Sequence, residues 1–223
     1  MRVEWHGQSA FTLTGDEGTV FIDPFGDMSG LARSRDIKFE YPAIDVDGID
    51  LVLITHEHVD HNGLEGVRGD PAVLRSTAGR LESPIGEIVG IASEHDDEAG
   101  TARGPNTIFV FDLDGIRVAH FGDFGQSELR PEQAAALEGV DLLILPVGGG
   151  PTIGGGDAAR IAERIGPRWV VPMHYRTHRT GFLETEEEFA EGLPRVERLE
   201  ESSFDTADLP DGDGPVVVIP AAP

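Results

Sequence analysis

A chain of 223 residues with 39% hydrophobic content is long enough for one ordinary domain around a sizeable core, and a single domain over residues 1–223 is expected. Its formal net charge of −24 repels polyanions, Lys38 is the only lysine, and no basic patch interrupts the acidity, which argues against a nucleic-acid partner. With no cysteine, disulfides and thiolate ligands are excluded, and any metal must be held by His, Asp, Glu, backbone or water.

Neither the opening Met1-Arg2-Val3-Glu4-Trp5 nor any later stretch reads as a secretion signal, and apolar runs such as Leu142 to Pro146 are far too short to cross a bilayer. The expectation is a soluble cytoplasmic protein with no membrane partner. A saline cytoplasm or a demand for solubility would each account for the acidity.

In chain order, Val3 to Trp5, Ala10 to Leu13 and Thr19 to Asp23 read as short strands, with Gly7 and Gly15-Asp16-Glu17-Gly18 as turns. Pro24 to Gly48 shows no period and reads as a loop over the site. Leu51 to Ile54 is a buried strand, and Asn62 to Val67 a short helix start. Ala72 to Leu74 and Ile88 to Ala92 follow as strands. Thr107 to Leu113, the turn Asp114-Gly115 and Ile116 to Phe121 make a hairpin. Helices are expected over Pro131 to Leu137, Asp157 to Ile165 (ended by Gly166-Pro167) and Glu184 to Gly192, the last with Thr185 as its cap. Asp141 to Pro146, Trp169 to Pro172 and Val216 to Ile219 complete the strands, with Asp205 to Gly214 a turn region. The pattern favours an α/β fold of two sheets packed face to face with helices outside.

The most informative segment is His56-Glu57-His58-Val59-Asp60-His61, which gathers three imidazoles and the Asp60 carboxylate directly after a buried strand. Histidine is the commonest nitrogen ligand of transition metals, and α/β proteins place their chemistry at strand carboxyl ends. Eight histidines could crowd by chance on a solvated loop. Three later strands, however, also end in potential ligands: His95 after Ile88 to Ala92, Asp123 in His120-Phe121-Gly122-Asp123, and His174 in Pro172-Met173-His174-Tyr175. One such residue is ordinarily structural; the recurrence is the signal.

Together these residues resemble the metallo-β-lactamase superfamily over essentially the whole chain. Trp5-His6-Gly7-Gln8-Ser9-Ala10-Phe11, Ile22-Asp23-Pro24, Asn106, Leu145-Pro146-Val147-Gly148-Gly149 and Pro172-Met173-His174-Tyr175 are similar to its branch of metal-dependent hydrolases, which includes the lactonase opening phosphorylated ascorbate. The resemblance implies a four-layer αββα sandwich of two mixed sheets flanked by helices, with two divalent metal ions at one edge. Zinc is the first expectation, with manganese or iron also compatible. Carried over residue by residue, His56, His58 and His95 would hold one metal, Asp60, His61 and His174 the other, and Asp123 would bridge both. The implied activity is hydrolysis of an ester, lactone or related bond in a small molecule by a metal-bridged hydroxide, with Asp60 as ligand and catalytic group. Two departures inform. Asp123 stands where one subclass of antibiotic-hydrolysing zinc enzymes has cysteine, and His58 where the diiron oxygen reductases have glutamate.

Two alternatives stay in view: a phosphodiesterase or nuclease of the same superfamily, disfavoured by the charge, and a non-catalytic metal-binding scaffold, which would not need the whole ligand set. A homo-oligomer is left open. Asp23 is expected to orient a ligand histidine and His120 to pack behind the site, with His6 and Gln8 as fold or rim residues. Arg176, His178 and Arg179 are candidates to contact an anionic substrate or to lie solvated on a loop. The glycines at 148–150 and 154–156 lack the Lys-Ser/Thr of a nucleotide loop and read as a site rim before a cradle for an anion.

Overall fold

The computed structural model describes residues 1–223. A first sheet begins as a meander of β1 (Arg2–Gly7), β2 (Ala10–Gly15) and β3 (Gly18–Ile22). β4 (Leu51–Ile54) and β5 (Ala72–Arg75) extend it in parallel, and β13 (Ser203–Asp205) pairs with the outer side of β1. The second sheet contains β6 (Gly79–Ser83), β7 (Gly86–Glu94), β8 (Pro105–Leu113), β9 (Ile116–His120), β10 (Leu142–Pro146), β11 (Trp169–Met173), β12 (Arg195–Arg198) and β14 (Val216–Ile219). Its order is β12-β14-β11-β10-β9-β8-β7-β6.

The period-2 alternation of side chains divides each buried strand between two cores. In β4, Leu51 and Leu53 join the large cluster between the sheets, while Val52 and Ile54 face outward into a smaller one with Phe21, Phe25 and Tyr41. That outer cluster also takes Met28, the residue before helix α1 (Ser29–Arg35). On the far side, α3 (Gly155–Ile165) buries Ala158, Ala159, Ile161 and Ala162 and ends at Gly166 in the left-handed conformation (φ +66°). The short helices α2 (Pro131–Ala136) and α4 (Glu187–Glu191) pack beside β7 and α3 respectively. The result is an αββα sandwich. No helix is long and apolar enough to cross a membrane.

Two turns clasp the sheets together. Asp114 and Gly115 both have positive φ (54° and 75°), the signature of a type I′ hairpin turn. The Asp114 carboxylate accepts from the backbone N–H groups of Asp16 and Glu17, at 3.0 and 3.2 Å, on the turn between β2 and β3.

Pairing directions gather the chemistry at one edge. β3 and β4 are parallel, as are β9, β10 and β11, and β7 runs with β9 because both are antiparallel to β8. The backbone N–H of Thr107 donates to the carbonyl of Thr55 at 3.0 Å, joining the two sheets at that edge.

Several expectations are corrected. Asn62 to Val67 is a set of turns with an isolated bridge between Val46 and Val67, not a helix start. Gly63 and Gly66 explain it, since a Cβ on either would collide with the backbone of Gly26 or Ile44. The stretch Pro24 to Gly48 holds α1, whose sequence shows no period because it buries no residue fully. The acidic helix is shorter than expected, and Thr185 does not cap it; its hydroxyl donates to Glu187 Oε2 at 2.6 Å. β6, β12 and β13 were not foreseen; none is fully buried, so none leaves an apolar run in the sequence.

Phe111 lies 1% exposed within the large core, whereas Val73 on edge strand β5 is 37% exposed. Phe111→Ala is expected to cost about 3–5 kcal/mol in urea unfolding, and Val73→Ala no more than about 0.5 kcal/mol. Equal effects would contradict this placement of the core.

Candidate metal centre

The loop after β4 turns back on itself, with His61 N–H donating to the His58 carbonyl at 2.9 Å, so that His56, His58, Asp60 and His61 face one hollow. His95 enters from the segment after β7, Asp123 from the segment after β9, and His174 directly after β11. The structure brings all of these residues together. Ligating atoms of His56, His58 and His95 form one group, and those of Asp60, His61, Asp123 and His174 another, each spanning no more than 4.8 Å. Asp123 joins them: its Oδ2 lies 3.1 Å from His95 Nε2, 3.5 Å from His174 Nε2 and 3.9 Å from His56 Nε2, and its Oδ1 3.2 Å from His61 Nε2. Asp60 Oδ2 stands 3.8 Å from His61 Nε2 on the more open side.

The donor set fits a divalent metal. His61 Nε2 and Asp123 Oδ1, which face each other at 3.2 Å, are both buried without hydrogen-bond partners. Buried polar groups without partners are rare, and a cation between the facing nitrogens and carboxylate oxygens supplies what is missing. Imidazole nitrogen and carboxylate oxygen suit zinc, manganese or iron.

Electrostatics divide the histidines. Burial foremost pushes the His56, His58 and His174 imidazoles below their ordinary range, which keeps them neutral and able to ligate. Burial opposes the charged form of His61 too, but the carboxylates of Asp123, Asp23 and Asp60 outweigh it and raise its pKa well above the usual value. Burial alone would raise Asp123; the surrounding imidazoles, His174 and His61 first, instead hold it well below the carboxylate range.

The supporting residues are equally specific. Asp23 Oδ2 lies 2.8 Å from His61 Nδ1 and fixes that ring. His120 is buried behind the site, its Nε2 donating to the Ser9 carbonyl at 3.0 Å and its Nδ1 accepting from Gly122 N–H at 3.2 Å. Asn106 accepts from the Asp123 N–H at 3.1 Å. Gln8 is fully buried with both amide atoms unpartnered, while His6 bonds Thr12 Oγ1 at 2.8 Å beside a different cavity.

A cavity of about 380 Å³ opens beside the cluster, lined by His58, Asp60, His95, Asp123 and His174. Arg176, His178 and Arg179 do not line it, and Arg179 Nε instead donates to the Pro223 carbonyl at 2.7 Å. The cations at this cavity are Arg35 and Arg103, which sequence reasoning missed because neither sits near a ligand motif with a readable period. Pro151 of the glycine-rich segment forms part of the rim. The Glu184 and Glu188 carboxylates crowd the glycines before and in the first turn of α3, which removes the anion-cradle reading.

The sequence pattern of the β-lactamase superfamily domain matches residues 2–174. The chain belongs to the metallo-β-lactamase superfamily. Two relatives named UPF0173 metal-dependent hydrolase, from Thermococcus onnurineus and Pyrococcus abyssi, are 30% and 31% identical over 205 residues, with 79% of this chain and 85% of each relative covered. A candidate Zn-dependent hydrolase of the superfamily from Thermotoga maritima, known from its crystal structure, is 26% identical, with a TM-score of 0.77 and 99% of both chains covered. A candidate metal-dependent hydrolase from Parabacteroides distasonis, known from its crystal structure and 20% identical with a TM-score of 0.66, shares the fold. This chain thus stands among the superfamily's metal-dependent hydrolases, with the His/Asp cluster as its candidate metal site.

The raised pKa of His61 has a sign that can be checked. In the metal-free fold it stabilises the native state below the unfolded histidine value, and that contribution fades as pH rises through the native pKa. At neutral pH a metal must therefore displace a proton from His61. Calorimetric titration of zinc at pH 7 in buffers of different ionisation enthalpy should show at least about one proton released per chain, and affinity falling as pH drops. Zero proton release would contradict this electrostatic picture.

Proposed function

We propose that this protein hydrolyses an ester, lactone or related bond in a small molecule with two divalent metal ions, zinc first among the candidates. The observation that carries the reading is the Asp123 carboxylate, which turns one oxygen toward His56, His95 and His174 and the other toward His61 at the head of one cavity. His56, His58 and His95 would hold one ion, and Asp60, His61 and His174 the other, with Asp123 shared. When bound, such ions lower the pKa of water to about 7 and polarise the oxygen of the electrophile.

The rest of the chemistry falls to the chain. Asp60, whose side chain is 19% exposed at the cavity wall, accepts a hydrogen bond from the attacking water and aims it at the carbonyl carbon. Asp23 holds the His61 ring, and Asn106 holds the Asp123 backbone, so that neither ligand turns during attack. Phe182, Val59 and Met28 shield part of the cavity from water. A cytoplasmic setting, a small-molecule substrate and the absence of nucleic-acid or membrane partners belong to the same proposal.

Elemental analysis after zinc or manganese reconstitution is expected to find two ions per chain, falling sharply in Asp123→Ala that keeps its circular dichroism. Asp60→Ala and His58→Ala should each lose at least about 100-fold in turnover across an ester and lactone panel, the scale of a removed catalytic group. Near-zero metal in the wild type, or retained turnover in metal-checked variants, would overturn the reading.

A further inference from the structure

The cavity beside the cluster has walls that the chemistry above does not use. Arg35, the last residue of α1, and Arg103, eight positions after His95, both face it. Neither guanidinium makes an ion pair or a hydrogen bond within the protein, whereas Arg68, Arg75, Arg80, Arg130, Arg195 and Arg198 each grip a carboxylate. In a chain with 41 acidic and 17 basic residues, two unpaired arginines at one cavity are a placement that folding does not require.

The support beneath Arg103 is built. The Asp96 carboxylate accepts from the N–H groups of Glu98, Gly100, Ala102 and Arg103 at 2.9, 2.8, 3.0 and 2.7 Å. Its charge is thereby spent inside the segment, and the Arg103 backbone is held at the rim. Asp97, Glu98 and Asp157 line the neighbouring cavity, on whose border with this one Arg103 stands.

Much of the remaining lining is apolar, with Met28, Leu31, Ile37, Val59 and Phe182. Val59 and Phe182, 43% and 40% exposed, are two of the three large hydrophobic side chains that the chain leaves exposed, the third being Val73 on β5. Such residues gathered at a concave site mark a ligand surface. The volume of about 380 Å³ suits a small molecule.

We propose that the substrate is a small amphipathic anion. Its carboxylate or phosphate oxygens pair with Arg35 and Arg103, its apolar body lies on Val59 and Phe182, and its scissile bond reaches the metal-ligand cluster. Guanidinium groups recognise both kinds of oxyanion through paired N–H donors. This inference rests on the hydrolase reading and supplies its substrate class.

The test is a matched series: 4-nitrophenyl esters of hexanoic, adipic and 5-phosphonopentanoic acid, equal in reacting bond, differing in terminal charge, and with a spacer long enough to suppress attack of the terminal anion on its own ester. The zinc-loaded protein should prefer the anionic esters over the hexanoate by about tenfold or more in kcat/KM, the scale of one charge-assisted hydrogen bond. The preferred anion distinguishes carboxylate from phosphate substrates. Arg35→Gln and Arg103→Gln should each erode that preference, chiefly through KM, and Arg103→Lys should restore part of it. An equal preference in wild type and variants would overturn the inference while the hydrolase reading stands. Calorimetric titration of inorganic sulfate into the chelator-treated and zinc-loaded protein separates the two failures. Sulfate binding lost in the double glutamine variant, with no ester turned over, keeps the anion site and sinks the hydrolase reading. Sulfate binding equal in wild type and double variant, with no turnover, sinks both.

Discussion

The buried Asp23 carboxylate is the contact on which the site depends. It stands immediately after β3 with φ +49°, fully shielded from solvent. One oxygen accepts from the Thr55 N–H at 2.8 Å; the other accepts from the Thr55 hydroxyl at 2.7 Å and lies 2.8 Å from His61 Nδ1. Because β3 and β4 are parallel neighbours, one side chain fixes where the second strand exits the sheet and how a candidate ligand beyond it is turned. A ring held at Nδ1 has its Nε2 committed toward Asp123, and its basicity rises through the carboxylate behind it. The Thr55 hydroxyl continues the chain, 3.1 Å from His56 Nδ1.

A chain this acidic could have kept its carboxylates outside, yet Asp23 and Asp123 lie among buried imidazoles. Burying an ion costs several kcal/mol, and at Asp123 the neighbouring imidazoles outweigh that cost. The backbone is strained at the same place: Gln8, Asp23 and His174, none of them glycine, all have φ near +50°. The Gln8 carbonyl accepts from both His174 N–H and Trp5 Nε1, at 3.3 and 2.9 Å, so the strained turn supports a candidate ligand directly. Strain and unpartnered polar atoms concentrated in one spot belong to a site formed for a ligand, at the expense of the apo fold.

Much of this was legible in the sequence because its physics is local. A buried strand writes an apolar run, and a ligand-bearing loop writes His and Asp directly after it, so β4, β9 and β11 and their site residues could be read one residue at a time. What was not legible depends on distant partners. α1 has no buried face of its own, and β12 and β13 exist because β14 and β1 offer edges to pair with. The glycines at 63 and 66, which look like ordinary loop residues, are spacers set by the backbones they touch. Arg35 and Arg103 are separated in the chain by two strands of each sheet, so only the folded chain shows that they share a cavity. Arg176 and His178 looked better placed because they follow His174 closely, but the chain turns away from the cavity after Tyr175.

The same dependence on distant partners governs the Asp123 carboxylate. Gly122, just before Asp123, has φ +55°, and a Cβ there would collide with the Asn106 and Thr55 side chains. Those two residues are themselves committed: Asn106 donates to the Phe121 carbonyl at 2.8 Å and accepts from Asp123 N–H at 3.1 Å, while Thr55 is held by Asp23. A side chain at Gly122 would therefore push on both sheets at once. Its first effect would fall on Asp123, whose carboxylate lies against histidines of both candidate ligand groups. Gly148 repeats the arrangement behind His174, where a Cβ would strike the His174 carbonyl. The candidate ligand residues converge because the backbone behind them is kept bare, so their placement is set as firmly by these glycines as by the side chains that face the cavity.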